Sequence, residues 1–391
     1  VMVSATYAVK NDVLKWVLET SNDFLSDKWK NKINIWLTGK KQPTIVQIRD
    51  LSKASHISFG DFFLDTPPKS TLLLLNYRTI NNSKVINPSR DLLDVINQME
   101  LKADWLQDYY RSEGLDKLSF VGQGRIENNL SVEEKAKKIL AYFDLVPGWN
   151  MKEKNAFNFL KNKLGNARIA VILGSHVGRQ NQRTLNIEEF RAFVLVNAYA
   201  PLIFINTRDN QNARLFSLVH ELVHIWMGDT ELFNNNFSSS PQYLKPTSEQ
   251  EINKIVEQIL FPKDIFIKIW GNINSNDTDV EHVYGVAKKF HTSPIAAAIA
   301  AKRYRLIDQK TIIQIKKETA KNTEKRREKQ KKSKSRPPYY DLVWSNLDPN
   351  FARSVINSTE SGQSSYTEAF SLLGVSGNKG YQEIKDRLEE R

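Results

Sequence analysis

The chain has 391 residues, more than one ordinary domain needs, and this length predicts two or three domains. It contains no cysteine, which excludes disulfides, thiolate metal sites and a cysteine nucleophile and fits a reducing compartment. The net charge is +12, and residues 316–336, with eleven Lys or Arg against three Glu, supply +8 of it. The longest nearly apolar stretch, 193–205, contains Asn197 and Pro201 and is too short to cross a bilayer. With no secretion signal visible, we expect a soluble cytoplasmic protein with no membrane contact.

The first 68 residues are predicted to form a small helical unit. Apolar residues recur at helical spacing around Val13, around Trp36 and over 45–54. Two prolines, Pro67 and Pro68, end the unit.

Residues 69–127 are predicted to connect this unit to the main domain. The apolar run 72–75 is typical of a short strand. The spacing of apolar residues over 92–110 predicts a long helix.

The main domain is predicted to begin near residue 128. Ser131 and Glu134 have the spacing of a capping box at the start of a helix. The apolar runs 169–173, 193–196 and 202–205 then predict strands. The short segment between the last two runs predicts a hairpin.

A helix from residue 214 to 227 is predicted next. Asn210 or Asn212 can cap its beginning, and Gly228 is a natural end. Its apolar residues are expected to pack against the small sheet.

This helix contains the string His-Glu-Leu-Val-His at 220–224. His220 and His224 are four residues apart and lie on one helix face, so both imidazoles can reach one metal ion. Glu221 lies beside the same ion, where a carboxylate can take a proton from water. The string predicts a zinc hydrolase site, and the alternative is that both histidines are ordinary helix residues.

A zinc ion held by two histidines needs a third protein ligand and one open position. The helix predicted over 247–260, which ends at Pro262, offers candidates for both. Glu249 and Asn253 share a helix face, so one can bind the metal while the other hydrogen-bonds a ligand histidine. We prefer Glu249 as the ligand. Glu251 lies roughly 200° around the helix, so at most one of the two glutamates faces the metal.

The remaining segments are mostly predicted helices. Two helices are expected around Ser293-Pro294, and another over 351–373 with a break near Gly362. The basic run 316–336 can bind nucleic acid without sequence specificity, or it is a solvated linker or an exposed helix.

The sequence around these residues resembles the ImmA/IrrE family of zinc metallopeptidases. The strings that carry the resemblance are EEFRAF at 188–193, PLIFIN at 201–206, ARLFSLVHELVH at 213–224, EQEIN at 249–253 and ILFP at 259–262. Positions 252, 256 and 257 hold Ile, Val and Glu where small residues are usual in the family. By this resemblance His220, His224 and Glu249 bind Zn²⁺ and Glu221 is the catalytic carboxylate.

Two flanking segments resemble parts of longer family members. Residues 35–44 and 61–64 are similar to an Xre-like helix-turn-helix domain, and 340–375 is similar to a C-terminal piece of such proteins. The implied class is α+β and mostly helical: a zincin-like domain with a small sheet and an active-site helix, preceded by a small all-α domain. The implied order is a helix-turn-helix domain at 1–68, a connecting segment at 69–127, the zinc peptidase domain at 128–310, a basic linker at 311–339 and a helical segment at 340–391.

The resemblance implies a zinc metalloendopeptidase of the HExxH type. Its substrate is expected to be a specific regulatory protein, a DNA-binding repressor or a toxin–antitoxin partner, in stress responses or mobile-element control. The N-terminal unit or the run 316–336 can bind DNA, and the N-terminal unit suits docking to a protein equally well. The alternative is a non-catalytic DNA-binding or antitoxin-like regulator with the zincin fold as a scaffold. We favour the peptidase, because a scaffold does not need Glu221 between the two histidines.

Overall fold

The structure, a computed structural model, describes residues 6–21, 25–67, 88–228, 249–273, 277–332 and 338–390, with the backbone alone over 325–332. The strand predicted at 72–75 lies outside these residues, as do the first two residues of the helix predicted at 247–260. The described residues form two compact units, one of residues up to 67 together with 88–97, the other of residues from 98 onward. Within the described part of the chain, none of the helices has the length and apolar character needed to cross a bilayer.

The N-terminal unit is all-helical in its described residues. It contains α1 (Asn11–Ser21), α2 (Asp27–Leu37), α3 (Ile45–Ser55), a 3-10 turn (Phe59–Phe63) and the beginning of α4 (Arg90–Ser112). A core of fully buried side chains joins α1, α2, α3 and the 3-10 turn: Val13, Val17, Ile33, Ile48, Leu51 and Phe62. Thr44 begins α3 with a capping box to Gln47. The small helical unit predicted from the apolar spacing is therefore present, and its identity as a helix-turn-helix domain stays a prediction.

The second unit is mostly helical. Its helices are the rest of α4, then α5 (Gln123–Ile126), α6 (Val132–Tyr142), α7 (Trp149–Lys152), α8 (Ala156–Asn166), α9 (Gln211–Met227), α10 (Glu249–Leu260), α11 (Lys263–Gly271), α12 (Asp279–Lys289), α13 (Pro294–Arg303), α14 (Gln309–Lys332), α15 (Tyr339–Asn346), α16 (Pro349–Glu360), α17 (Tyr366–Leu373) and α18 (Asn378–Glu389). The predicted α+β class with predominant helix is confirmed. Most of the segment predicted as a basic linker is helical, because α14 continues to Lys332.

A three-stranded sheet supports the helices of the second unit. Its strands are β1 (Ala170–Gly174), β4 (Ala192–Leu195) and β5 (Leu202–Asn206), in the order β1-β5-β4. The predicted hairpin is confirmed, since β4 and β5 are antiparallel neighbours. β1 pairs with β5 in parallel, and Ala170 lies opposite Leu202.

A second, two-stranded ribbon was not predicted. It consists of β2 (His176–Val177) and β3 (Gln180–Thr184), and the turn between them contains Gly178 with φ of 52°. The β3 sequence, Gln-Asn-Gln-Arg-Thr, has no apolar alternation, so period-two hydrophobicity could not indicate it.

Asp348 ties the C-terminal helices to the rest of the second unit. This carboxylate is 1% exposed and accepts hydrogen bonds from the backbone N–H groups of Asn350 and Phe351, at 2.9 and 3.0 Å, where α16 begins. It also accepts from the N–H of Val171 in β1 at 3.4 Å. The nearby Lys161 of α8 donates to the carbonyl of Leu347 at 2.7 Å. One buried acidic side chain therefore caps a helix and covers an edge strand of the sheet.

Helix α4 makes a second attachment to the same C-terminal helices. Lys102 donates to the carbonyl of Leu372 near the end of α17, where the helix dipole favours a cation. Trp105 donates through its indole nitrogen to Ser364 at 3.2 Å, and its ring meets Phe351 edge to face at 6.0 Å. Burial lowers the pKa of Lys102 to about 8. The C-terminal helices thus pack on both α4 and the sheet.

We expect Asp348→Ala to destabilise the protein by about 2–3 kcal/mol, because it removes a helix cap and leaves buried N–H groups without an acceptor. Urea unfolding followed by tryptophan fluorescence measures this. Asp341→Ala is the matched control, since Asp341 is half-exposed and its ion pair with Arg387 should contribute less than about 1 kcal/mol. Equal effects of the two substitutions would contradict the role given to Asp348.

Candidate metal centre

Helix α9 is buried on every side, and this burial determines the character of the site. The helix begins at Asn210, whose side chain accepts from the N–H of Asn212 at 3.2 Å. Every residue from Ser217 to Met227 is buried. The helix packs against β4 and β5 on one side and against α5, α8 and α10 on others. An apolar helix of this kind is a central core element, so each polar side chain on it needs a structural or chemical reason.

The turn that leads into α9 is built from polar contacts. Asp209, 7% exposed, accepts from Arg191 at 3.2 Å and from the N–H of Asn210 at 2.8 Å. Arg214, on the first turn of α9, donates back to the carbonyls of Thr207 and Asp209. These bonds set the direction in which α9 leaves the sheet. The two arginines that flank the motif in sequence therefore have structural partners.

The other end of α9 is fixed by a close backbone approach. Gly228 has φ of 65°, the left-handed conformation that favours glycine at a helix end. A Cβ on Gly228 would lie 2.7 Å from the Cα of Gly122, too close for any side chain. The N–H of Gly122 donates to the carbonyl of Ile225 at 3.1 Å, so α5 closes directly over the end of α9.

The two histidines of the motif converge as the four-residue spacing predicts. His220 and His224 are 1% and 3% exposed, and their Nε2 atoms lie 3.1 Å apart. Both nitrogens therefore point to one place at the surface of the buried helix.

Glu249, the first described residue of α10, completes this cluster. Its Oε2 lies 3.4 Å from Nε2 of His220, and its Oε1 lies 3.4 Å from Nε2 of His224. Burial by itself would raise the pKa of the Glu249 carboxyl, but hydrogen bonds to His220 and His224 and their charge outweigh burial and hold it well below its usual range. The carboxylate is therefore ionised and straddles both imidazoles, while its side chain keeps 41% of its exposure.

These three groups fit a metal ion by their chemistry. One ligand atom from each of His220, His224 and Glu249 lies within 4.8 Å of the others. Two imidazole nitrogens and one carboxylate oxygen form a mixed nitrogen and oxygen donor set, which suits a borderline divalent cation. The cluster could therefore hold a metal ion with three protein ligands.

Glu251 lies elsewhere on the helix and has a different partner. Its Oε1 is 2.6 Å from Nζ of Lys135 on α6, and the Lys135 side chain is only 4% exposed. The sequence left Glu249 and Glu251 as alternatives for the metal, and the structure brings Glu249 to the histidines. Glu251 instead joins α10 to α6.

Asn253 follows Glu249 by one helical turn and is half-buried. The support of a ligand histidine by Asn253 stays a prediction.

Glu221 lies next to His220 on α9 and is 2% exposed. Burying a carboxylate is costly, so its place on an apolar helix beside groups that could bind a metal favours a chemical role. The arrangement could place a bound cation beside a carboxylate that moves a proton.

Two basic residues that contact α10, Arg303 and Lys135, were not predicted from the sequence. Glu257 is 3% exposed and its Oε2 lies 2.7 Å from Nη1 of Arg303 on α13. Ile252 and Val256, the other positions that depart from the family pattern, are fully buried. Glu at position 257, where the family usually has a small residue, could have indicated a buried partner such as Arg303. Nothing in the local sequence indicated Lys135 as the partner of Glu251.

Two family models match parts of the chain. Residues 179–302 match the model of the M78 peptidases, described as the IrrE N-terminal-like domain. Residues 347–387 match a domain of unknown function, DUF8813. No curated protein and no solved structure matches the chain. The first match covers α9 and α10, and it supports an ImmA/IrrE-type peptidase domain with a metallopeptidase-like function for that part.

The buried carboxyl of Glu257 predicts a pH-dependent stability. Burial raises the pKa of Glu257 to about 7, against the opposing charges of Arg303 and Lys254. Between its ordinary pKa and about 7, the folded state keeps a proton that the unfolded state has lost. The contribution of Glu257 is therefore fully present at low pH and falls by up to about 3 kcal/mol as the pH rises through this window.

Between about pH 5 and pH 8, the free energy of unfolding of the unsubstituted protein should fall by up to about 3 kcal/mol more than that of Glu257→Gln. Chemical unfolding at several pH values measures the difference, and effects of the histidine cluster cancel because both proteins contain it. Glu188→Gln, at an exposed glutamate, should leave the pH profile unchanged. Identical profiles for all three proteins would show that the carboxyl of Glu257 does not keep its proton.

Proposed function

We propose that the chain is a zinc-dependent endopeptidase of the HExxH type that cleaves a specific regulatory protein. The observation that carries the proposal is the convergence of His220, His224 and Glu249 beside the buried carboxylate of Glu221. Three protein ligands leave one position open, as in catalytic zinc sites, whereas structural zinc sites are closed by four. The match to the M78 peptidase model supports the same class of reaction.

When bound, the zinc ion supplies Lewis-acid activation of a water molecule and of the peptide carbonyl. The residues of the chain divide the rest of the work. His220, His224 and Glu249 hold the cation. The carboxylate of Glu221 accepts a proton from the attacking water and passes it to the nitrogen of the leaving amine. Water is thereby added across the peptide bond, and Glu221 returns to its starting state.

We also infer that the substrate is a DNA-binding repressor or a toxin–antitoxin partner in the cytoplasm. The helical N-terminal unit, with its likeness to an Xre-like domain, supports a docking or DNA-binding role apart from the chemistry. The absence of cysteine agrees with a reducing compartment.

We expect the protein to bind about one zinc ion per chain through Glu249. Glu249→Ala should weaken zinc binding by more than the roughly 10–100-fold that loss of an outer partner costs, because it removes a direct ligand. Glu251→Ala is the comparison on the same helix. It should weaken zinc binding less than Glu249→Ala, because it removes only the contact with Lys135 that orients α10. Competition with a chromogenic chelator gives both values. A larger effect of Glu251→Ala would assign the third ligand to that residue.

We expect Glu221→Gln to keep its zinc and to lose cleavage, with kcat/KM lower by about 10²–10⁴-fold, because an amide cannot accept the proton of water. The variant can be used as a trap: expressed in the host, it should hold the substrate, which mass spectrometry identifies and purified protein then cleaves. Glu188→Gln, at an exposed glutamate outside the cluster, should remain active. Undiminished cleavage by Glu221→Gln would contradict the role given to Glu221. An unsubstituted chain that takes up no zinc and cleaves nothing would leave the fold as a non-catalytic scaffold.

A further inference from the structure

Helix α14 has two parts of different character. Its beginning is attached to the core of the second unit: Ile312 and Ile315 are 5% and 0% exposed, and Asp308 accepts from the N–H of Thr311 at 2.9 Å. From Lys316 to residue 324, the described side chains are exposed or half-buried. The backbone nevertheless continues as one helix to Lys332. The second part, residues 316–332, is called the basic arm here.

The basic arm has an excess of positive charge. It contains nine Lys or Arg against three Glu, and its only apolar residue is Ala320. Among the described residues, Lys316, Lys317 and Lys321 form no ion pair. The side chain of Glu318 accepts from Gln314 instead of a lysine.

The spacing of the lysines adds to this excess. Lys317, Lys321, Lys325 and Lys329, called the lysine ladder here, follow one another at intervals of four residues. Positions at this interval are neighbours on a helix, and like charges there destabilise it. A helix that accumulates such repulsion is stabilised when a polyanion binds to it.

We propose that the basic arm binds the phosphate backbone of duplex DNA. Its 17 residues extend about 25 Å with a net charge of +6, about one charge per 4 Å, whereas a duplex presents about one negative charge per 1.7 Å, so the arm can neutralise part of the phosphate charge along its length. The major groove of DNA, about 12 Å wide, admits a helix, whereas the deep and narrow major groove of duplex RNA does not. A membrane surface is a poor fit, because residues 316–332 contain no apolar stripe to insert.

The chain on either side of the arm also suits this role. Before the arm, Ile312 and Ile315 attach α14 to the core, and after it α15 contacts β1 and α18 of the same unit. The arm is therefore joined at both ends to the unit that contains the metal centre. Binding through phosphates alone is independent of sequence and would keep this unit on DNA. The inference does not depend on the proposed peptidase activity.

The test is DNA binding by the full chain with the four ladder lysines replaced by Gln. A fluorescent duplex of about 20 base pairs is longer than the arm at 3.4 Å per base pair. The dissociation constant is measured between about 50 and 200 mM salt. We expect the unsubstituted chain to bind with a steep dependence on salt. The ladder variant should bind at least about 100-fold more weakly near 100 mM salt, with the slope of log K against log salt reduced by about 3–4.

The matched control replaces four exposed lysines outside the arm, Lys137, Lys152, Lys154 and Lys289, by Gln. This control removes the same charge as the ladder variant. Because these lysines lie outside the arm, the control should lose only a few-fold in DNA affinity. Circular dichroism of both variants checks that the helices are retained. An equal loss in the control would overturn the proposal, as would undetectable DNA binding at the lowest salt. Equally tight binding of duplex RNA, or equal competition by polyglutamate, would assign the arm to another polyanion.

Discussion

Burial of ionisable side chains on a helix that is apolar on all other sides is the constraint on which the rest of the second unit depends. His220, Glu221 and His224 are between 1% and 3% exposed. Polar groups at such positions are tolerated only where the surrounding structure compensates for the lost water. The sheet, α8 and α5 surround α9 with apolar side chains, and α10 brings the compensating carboxylate of Glu249. The site is therefore a cluster of polar side chains within an apolar core, and the side chain of Glu249 is its partly exposed member.

The position of α10 follows from the same constraint. Its apolar face, with Ile252, Ile255 and Ile259, packs between α6 and α9. Two polar contacts add direction to this packing: Glu251 with Lys135 and Glu257 with Arg303. Each of these contacts joins a carboxyl group on α10 to a basic side chain on a different helix, so rotation of α10 about its axis would break both. The orientation that they favour is the one that turns Glu249 toward the histidines.

The proposed chemistry and the proposed DNA binding belong to different parts of the chain. The cluster of His220, His224 and Glu249 lies in the core, with the side chain of Glu249 partly exposed. The basic arm, by contrast, has a net charge of +6, and its described side chains, those up to residue 324, are exposed or half-buried. The C-terminal helices, joined through Asp348 and Lys102, hold the chain that follows the arm to the sheet and to α4. Under these proposals, surfaces outside the cluster bind the partner, and the cluster supplies the chemistry.

Local sequence determined the elements whose interactions are local. The helix of the metal centre, its beginning at Asn210 and its end at Gly228 follow from contacts within a few residues, as does the hairpin of β4 and β5. The histidines converge because helical geometry itself places residues four apart on one face. These features could be predicted without knowledge of the rest of the fold.

Only the tertiary structure decided the contacts that join distant segments. Periodicity limits the metal-facing glutamate to one of Glu249 and Glu251, but the choice depends on Lys135, more than a hundred residues earlier. The parallel pairing of β1 with β5 and the cap that Asp348 gives to α16 are of the same kind. Each of these contacts depends on which surfaces the folded chain brings together. Propensity and spacing within one segment do not predict such contacts.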